Sequence, residues 1–99
     1  KAAEKRIKDE KERVPFITMR GKALLEQGKF KESREYYLQA IKIDPAAKDL
    51  SESKFNLARC FMHLKDVEAA KKGWQEVVAS KDEFWSPLAA NELKLLEKP

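Results

Sequence analysis

Apolar residues recur along this chain at three- and four-residue steps, in blocks separated by short polar breaks, which is the signature of amphipathic helices. From Phe16 to Gln27, the residues Phe16, Ile17, Met19, Ala23, Leu24 and Leu25 make a broad helical face. Pro15 opens that helix, since a first turn tolerates a residue without an N–H, and Gly28 closes it as a left-handed C-terminal cap. A second helix is expected over about Lys31 to Ile43, with Phe30, Tyr37, Ala40 and Ile41 on its apolar stripe, ended by Asp44-Pro45. A third runs over about Leu50 to Leu64. Asp49 followed three residues later by Glu52 predicts a capping box, and Leu50, Leu57, Ala58, Phe61 and Leu64 form the inner face. Beyond the break at Lys65-Asp66, Val67, Ala70, Trp74, Val77 and Val78 define a fourth helix over about Val67 to Ala79. "KDEFWSP" makes another turn, where Ser86 reads as an N-cap and Pro87 as the first helical residue. Leu88, Ala89, Leu93 and Leu96 form the stripe of a final helix. With connections this short, consecutive helices lie antiparallel and adjacent, so the fold class is all-α.

The two helix pairs superimpose on each other in sequence. Gly21 matches Ala58, Leu24 matches Phe61, Phe30 matches Val67, Ser33 matches Ala70, Tyr37 matches Trp74 and Ala40 matches Val77, each 37 positions apart. Small residues fall where helices must cross closely and large ones where a gap must be plugged. Gly21, Leu24, Gly28, Phe30, Ser33, Tyr37, Ala40 and Pro45 in one copy, and Leu57, Ala58, Phe61, Ala70, Trp74 and Val77 in the other, resemble the tetratricopeptide repeat, a helix–turn–helix unit of about 34 residues. The extra residues fall in the Pro45–Ser51 connection. The pattern departs from the family at Lys54, where a large residue usually opens the first helix, and at Arg20, which replaces a leucine. It departs again at Lys65, in place of the turn glycine, and at Asp82, in place of a second proline.

The organisation expected is therefore a charged helical extension at 1–13, one repeat at 14–47, a second at 48–84, and at 85–99 a capping helix or the start of a third repeat. In the extension, Glu4–Lys8 and Asp9–Arg13 have the acid-before-base i,i+4 spacing that supports a solvent-bridging helix. Two and a half repeats are near the minimum for a stacked core, so the chain reads as part of a longer solenoid. The segment "FWSPLAANELKLLE" also resembles the closing segment of bacterial cell-envelope tetratricopeptide proteins, such as the periplasmic partner of the Tol system, leaving the compartment open between cytoplasm and bacterial periplasm.

Composition narrows the function classes. Charged residues make up 38% of the 99, with a net charge of +4, but acids interleave with bases along most of the chain. That is the pattern of solvated helix surfaces, and it weakens, without removing, the alternative of a nucleic-acid binder. No apolar run reaches membrane-spanning length. The three glycines, at 21, 28 and 73, are too scattered for a phosphate loop, and no cofactor is expected. Cys60 and His63 lie three apart on one helix, where a thiol–imidazole pair or half a zinc site is geometrically conceivable. No third group accompanies them and their apolar flanks suit packing, so the chain reads as non-catalytic and without a metal.

What remains is binding. The family resemblance implies that the first helix of each pair lines a concave groove that holds a partner peptide or helix. On this chain that groove would carry Thr18, Met19, Lys22 and Glu26 from one copy and Phe55, Asn56, Arg59, Met62 and His63 from the other. Lys22 and Arg59 flanked by Met19, Phe55 and Met62 would suit an amphipathic or acidic peptide. The same three apolar residues could instead bury the seam between repeats, and Trp85 could pack beneath the last helix or stand on a rim. Asn56 occupies one position of the family's carboxylate clamp, but Met19 and Pro15 break the rest, so no chaperone-tail site is implied. Self-association through exposed end helices is a further alternative.

Overall fold

The computed structural model describes residues 9–97; positions 1–8 of the expected N-terminal helix, with the Glu4–Lys8 pair, lie outside them. Residues 9–12 are helical, and the expected Asp9–Arg13 ion pair is not formed: among the described residues, ion pairing is confined to Arg34 and its neighbour Glu35 at 3.2 Å. Five further helices follow: α1 (Val14–Glu26), α2 (Phe30–Ile43), α3 (Leu50–His63), α4 (Val67–Ala79) and α5 (Trp85–Glu97). Each packs on the next, and α3 also touches α1 and α5, giving a slab of 55 × 29 × 19 Å rather than a ball around one core. This is the all-α arrangement of stacked helix–turn–helix pairs with a C-terminal helix. Among the described residues no helix is long and apolar enough to cross a membrane.

The turn inside each pair is the same structure built from different residues. In the first, Lys29 N–H donates to the Leu24 carbonyl at 2.9 Å and Gly28 N–H to Leu25 at 3.0 Å, with Gly28 left-handed at φ +80°. In the second, Asp66 N–H donates to Phe61 at 2.8 Å and Lys65 N–H to Met62 at 3.0 Å, with Lys65 at φ 69°. Both are Schellman caps, and the second forces a β-carbon into the region where glycine is at ease. Asp66 then caps α4, its Oδ1 accepting from Ala69 N–H at 3.2 Å.

Two expected caps are absent. Asp49 precedes α3 but makes no side-chain cap bond. Ser86 lies inside α5, and its hydroxyl donates backwards to the Val78 carbonyl at 3.3 Å. The entry to α5 is instead held by Asp82, whose Oδ1 accepts from the N–H groups of Phe84 at 2.9 Å and Trp85 at 2.8 Å. Asp82 was the position that departed from the family's proline; here its short carboxylate satisfies two otherwise unpaired helix-start donors.

The core forms in three adjoining clusters. Val14, Ile17 and Ala40 join α1 to α2; Leu25, Tyr37, Leu57 and Cys60 join α1 and α2 to α3; Phe55, Ala58, Ala70, Trp74, Val77 and Ala89 join α3, α4 and α5. On α1 the apolar face is narrower than the pattern implied. Ile17, Leu24 and Leu25 are buried together with Val14 and Gly21, while Phe16, Met19 and Ala23 are exposed because, among the described residues, α2 and α3 cover only one side of α1. Val67 and Leu88, expected inside, are likewise exposed.

The caps make a paired prediction. Lys65→Gly relieves the left-handed strain, roughly 1–2 kcal/mol, and loses part of that gain to the freer unfolded chain, for a net stabilisation of about 0.5–1 kcal/mol. Gly28→Ala, in open space but at φ +80°, destabilises by about 1 kcal/mol. Urea unfolding followed by circular dichroism measures both.

Candidate functional site

The helix crossings decide what reaches the surface. Gly21 on α1 lies so close to α2 that a β-carbon there would stand 3.1 Å from the Tyr37 ring. In the second pair the matching residue is Ala58, and the space for its methyl comes from Gly73 across the crossing, whose own β-carbon would meet that of Ala58 at 3.2 Å. Tyr37 and Trp74 are thereby pressed between the helices of their pairs, and the edge of each lines a cleft on the face carried by α1, α3 and α5.

The first cleft, about 210 Å³, lies between α1 and α3. Pro15, Thr18, Met19 and Lys22 line one side, Asp49, Glu52 and Ser53 the other, with Tyr37 at its base. The second, about 370 Å³, lies between α3 and α5, lined by Arg59, Met62 and His63 opposite Glu92, Leu95 and Leu96, with Trp74 at its base. Further hollows lie on other faces, among them one between α1 and the start of α2 beside Phe16, Arg20 and Glu32, and one between α2 and α4 over Leu38, Ile41 and Phe61.

Of the groove residues expected from the sequence, Met19 and Lys22 are exposed in the first cleft, and Arg59, Met62 and His63 line the second. Glu26 is exposed on α1 but lines neither. Phe55 and Asn56, expected in the groove, line neither cleft. Phe55, 8% exposed, packs its ring 6.1 Å from Trp74 and 5.2 Å from Trp85, so it is core, and Trp85 packs beneath the last helix. Asn56, 5% exposed, donates through Nδ2 to the Tyr37 hydroxyl at 3.3 Å, while its Oδ1 accepts from Arg59 at 3.5 Å. It ties one repeat to the next and steadies the Arg59 guanidinium. His63 stacks flat on Phe30 with ring centroids 4.0 Å apart, fastening the end of α3 to the start of α2.

A second polar chain crosses the same seam. The Cys60 thiol donates to the Ser33 hydroxyl at 3.3 Å, which donates to the Gly21 carbonyl at 2.6 Å, linking α3, α2 and α1. Burial raises the Cys60 pKa, which keeps the sulfur a thiol, and the thiol's hydrogen bond goes to Ser33 while the His63 ring stacks on Phe30. Burial also pushes the Tyr37 phenol from 10.0 up to about 12, partly opposed by the Asn56 hydrogen bond. Among the described residues no group of three or more His, Cys, Asp or Glu side chains is placed to hold a metal ion.

The electrostatics differ from the sequence expectation. Lys22 shares its cleft with Asp49 and Glu52, and Arg59 faces Glu92, so neither cleft is a simple cationic trough for an acidic peptide. Sequence reasoning missed Asp49, Glu52, Glu92, Leu95 and Leu96, because the pairing of α1 with α3 and of α3 with α5 brings them in from other segments.

Stacked helical hairpins presenting clefts along one face define a repeat scaffold. The tetratricopeptide repeat family matches residues 16–47 and again 52–80, together more than half of the chain, and the protein belongs to that family. No curated protein and no solved structure gives a significant match.

The buried phenol predicts an alkaline limit to stability. Folded Tyr37 keeps its proton to about 12, whereas the unfolded side chain loses it near 10.0, so the folded state binds more protons between these values. The contribution is fully present below pH 10 and declines as pH rises from about 10 to about 12. Urea midpoints across that range should fall more steeply for the native chain than for Tyr37→Phe.

Proposed function

We propose that this chain is a protein–protein interaction scaffold that holds a partner peptide along the face formed by α1, α3 and α5, without catalysing a reaction. The observation that carries the reading is the pair of clefts, one where the two hairpins meet and one where the second hairpin meets α5, with equivalent aromatic residues at their bases. Family membership supports it, since tetratricopeptide repeats are generally protein-interaction modules and typically non-catalytic. Met19, Lys22, Arg59, Met62 and His63 are the contact residues, and α5 acts as the cap that completes the second cleft.

The partner is amphipathic and of mixed charge rather than uniformly acidic. Its apolar side chains meet Met19, Met62, Leu95 and Leu96, while a basic residue is favoured beside Asp49 and Glu52. The family matches stop at residue 80, so the cell-envelope likeness of the last helix adds no compartment to this reading. A second reading, self-association through the end helices, has its own observation. Phe16 and Met19 at one end are 70% and 65% exposed, and Leu88 and Leu95 at the other are exposed too; light scattering against concentration separates it from the monomeric scaffold.

Peptides selected by display on the intact chain test the main reading. Arg59→Glu should weaken them about tenfold, and Lys22→Glu should weaken acidic peptides while strengthening basic ones, whereas Lys71→Glu on α4 should change nothing. Calorimetric affinities indifferent to both inner-face reversals would rule this placement out.

A further inference from the structure

Within the interaction face just described, on which this step rests, the two clefts are not chemically equivalent. Tyr37 and Trp74 occupy matching places in the two hairpins, and each carries one polar atom. The Tyr37 hydroxyl receives a hydrogen bond from Asn56 on the next helix, α3. The Trp74 ring is 2% exposed, and its Nε1–H has no acceptor among the described residues. The next helix, α5, brings Glu92, Leu95 and Leu96 to this cleft, and none of them supplies that acceptor. A buried donor left without a partner is a standing cost that a ligand oxygen can remove.

We propose that the cleft between α3 and α5 is a pocket for a peptide segment that places an aliphatic side chain beside a backbone carbonyl, with the Trp74 indole N–H as the donor to that carbonyl. The walls fit such a segment. Met62, Leu95 and Leu96 are apolar, and Leu95 stands 51% exposed at the mouth, an exposure that an entering leucine-like side chain would cover. The volume of about 370 Å³ is in the range of small binding sites, roughly 300–1,000 Å³, and suits one or two side chains with their backbone.

The charges choose the kind of acceptor. A carboxylate would be attracted by Arg59 and repelled by Glu92 on the facing helix, so a neutral carbonyl is favoured over an anion. The Nε1 atom is itself covered, so the carbonyl reaches it only when a neighbour moves; Met62 lines the cleft and packs on the same cluster as Trp74. Methionine turns about three single bonds and changes rotamer at little cost, so Met62 is the neighbour this pocket requires to move.

The chain has two tryptophans and two methionines, so the indole N–H and methionine methyl signals are readily resolved by NMR. The probe is the capped tetrapeptide acetyl-Gly-Leu-Leu-Gly-amide, with acetyl-Gly-Ser-Ser-Gly-amide as control, titrated to millimolar concentration into the whole chain. The leucine peptide should move the Trp74 indole proton downfield and shift the Met62 methyl, saturably, leaving Trp85 in place; the serine peptide should do neither. Trp74→Phe should weaken the leucine peptide about tenfold, and Leu95→Asn by a similar factor. Leu95 is solvent-facing, so that variant and the native indole shift decide the matter even where Trp74→Phe perturbs the fold. An unmoved Trp74 signal, or equal affinity for Trp74→Phe, overturns the pocket. Peptides that bind α1, α3 and α5 yet leave Trp74 unmoved would keep the interaction scaffold and discard this pocket. Absence of any peptide binding on that face would discard both.

Discussion

The approach of a helix backbone to an aromatic ring, at Gly21 against Tyr37, is the constraint on which the first hairpin and its neighbours depend. Because a β-carbon at residue 21 would already sit 3.1 Å from the ring, α1 and α2 are held at a separation that buries Tyr37 almost completely. That separation places the Ser33 hydroxyl one turn earlier within 2.6 Å of the Gly21 carbonyl and leaves it able to accept from Cys60. It also carries the Tyr37 hydroxyl through to Asn56. One steric condition thus sets the packing of a hairpin, the hydrogen bonds that attach the next, and the aromatic base of a cleft. The second hairpin meets the same condition by exchange: the methyl gained at Ala58 is accommodated by the side chain absent at Gly73. Packing density in protein interiors leaves little tolerance for either methyl without its compensation.

The two junctions between stacked elements are built on different terms. The first hairpin meets α3 through buried hydrogen bonds as well as apolar contact, and such bonds fix register because a slip leaves their groups unpaired. The junction of the second hairpin with α5 is aromatic and aliphatic, made by Phe55, Trp74, Trp85 and Ala89 with Leu93 and Leu96 against them. Hydrophobic contact is less directional. The register of α5 therefore leans more on its entry, where Asp82 accepts from two backbone donors and Ser86 reaches back to Val78.

Much of this could be read from the sequence, and the parts that could not share a cause. The hairpins, their turns at Gly28 and Lys65, and the interior places of Tyr37 and Trp74 follow from period and from residue size at matching positions. A periodic pattern, however, shows that a helix has an apolar stripe, not how many neighbours it will have. Helix α3 is enclosed on several sides, so Phe55, Asn56 and Cys60 are buried although they fall off the expected stripe. Among the described residues helix α1 is covered on one side, so Phe16 and Met19 remain outside although they fall on the expected stripe. The capping errors are of the same kind. Asp49 and Ser86 had suitable side chains, but Asp82, three residues before α5, reached the free N–H groups at its start, and only the path of the loop decides that.

The charge arrangement limits how the inner face can work. Each cleft holds both signs, Lys22 with Asp49 and Glu52 in one, Arg59 with Glu92 in the other. Long-range steering depends on a surface of one sign, and interleaved charges cancel within a Debye length of about 8 Å at physiological salt. In the proposed binding role, affinity on this face comes from short-range terms: apolar side chains covered at Met19, Met62, Leu95 and Leu96, and a hydrogen bond from the Trp74 Nε1–H, which lacks an acceptor among the described residues. In that role the charges act as discrimination, since a partner that sets like charge against Asp49 and Glu52 or against Arg59 meets repulsion once bound. Because packing fixes the bases of both clefts, the proposed role leaves partner choice to the residues that line the facing helix edges.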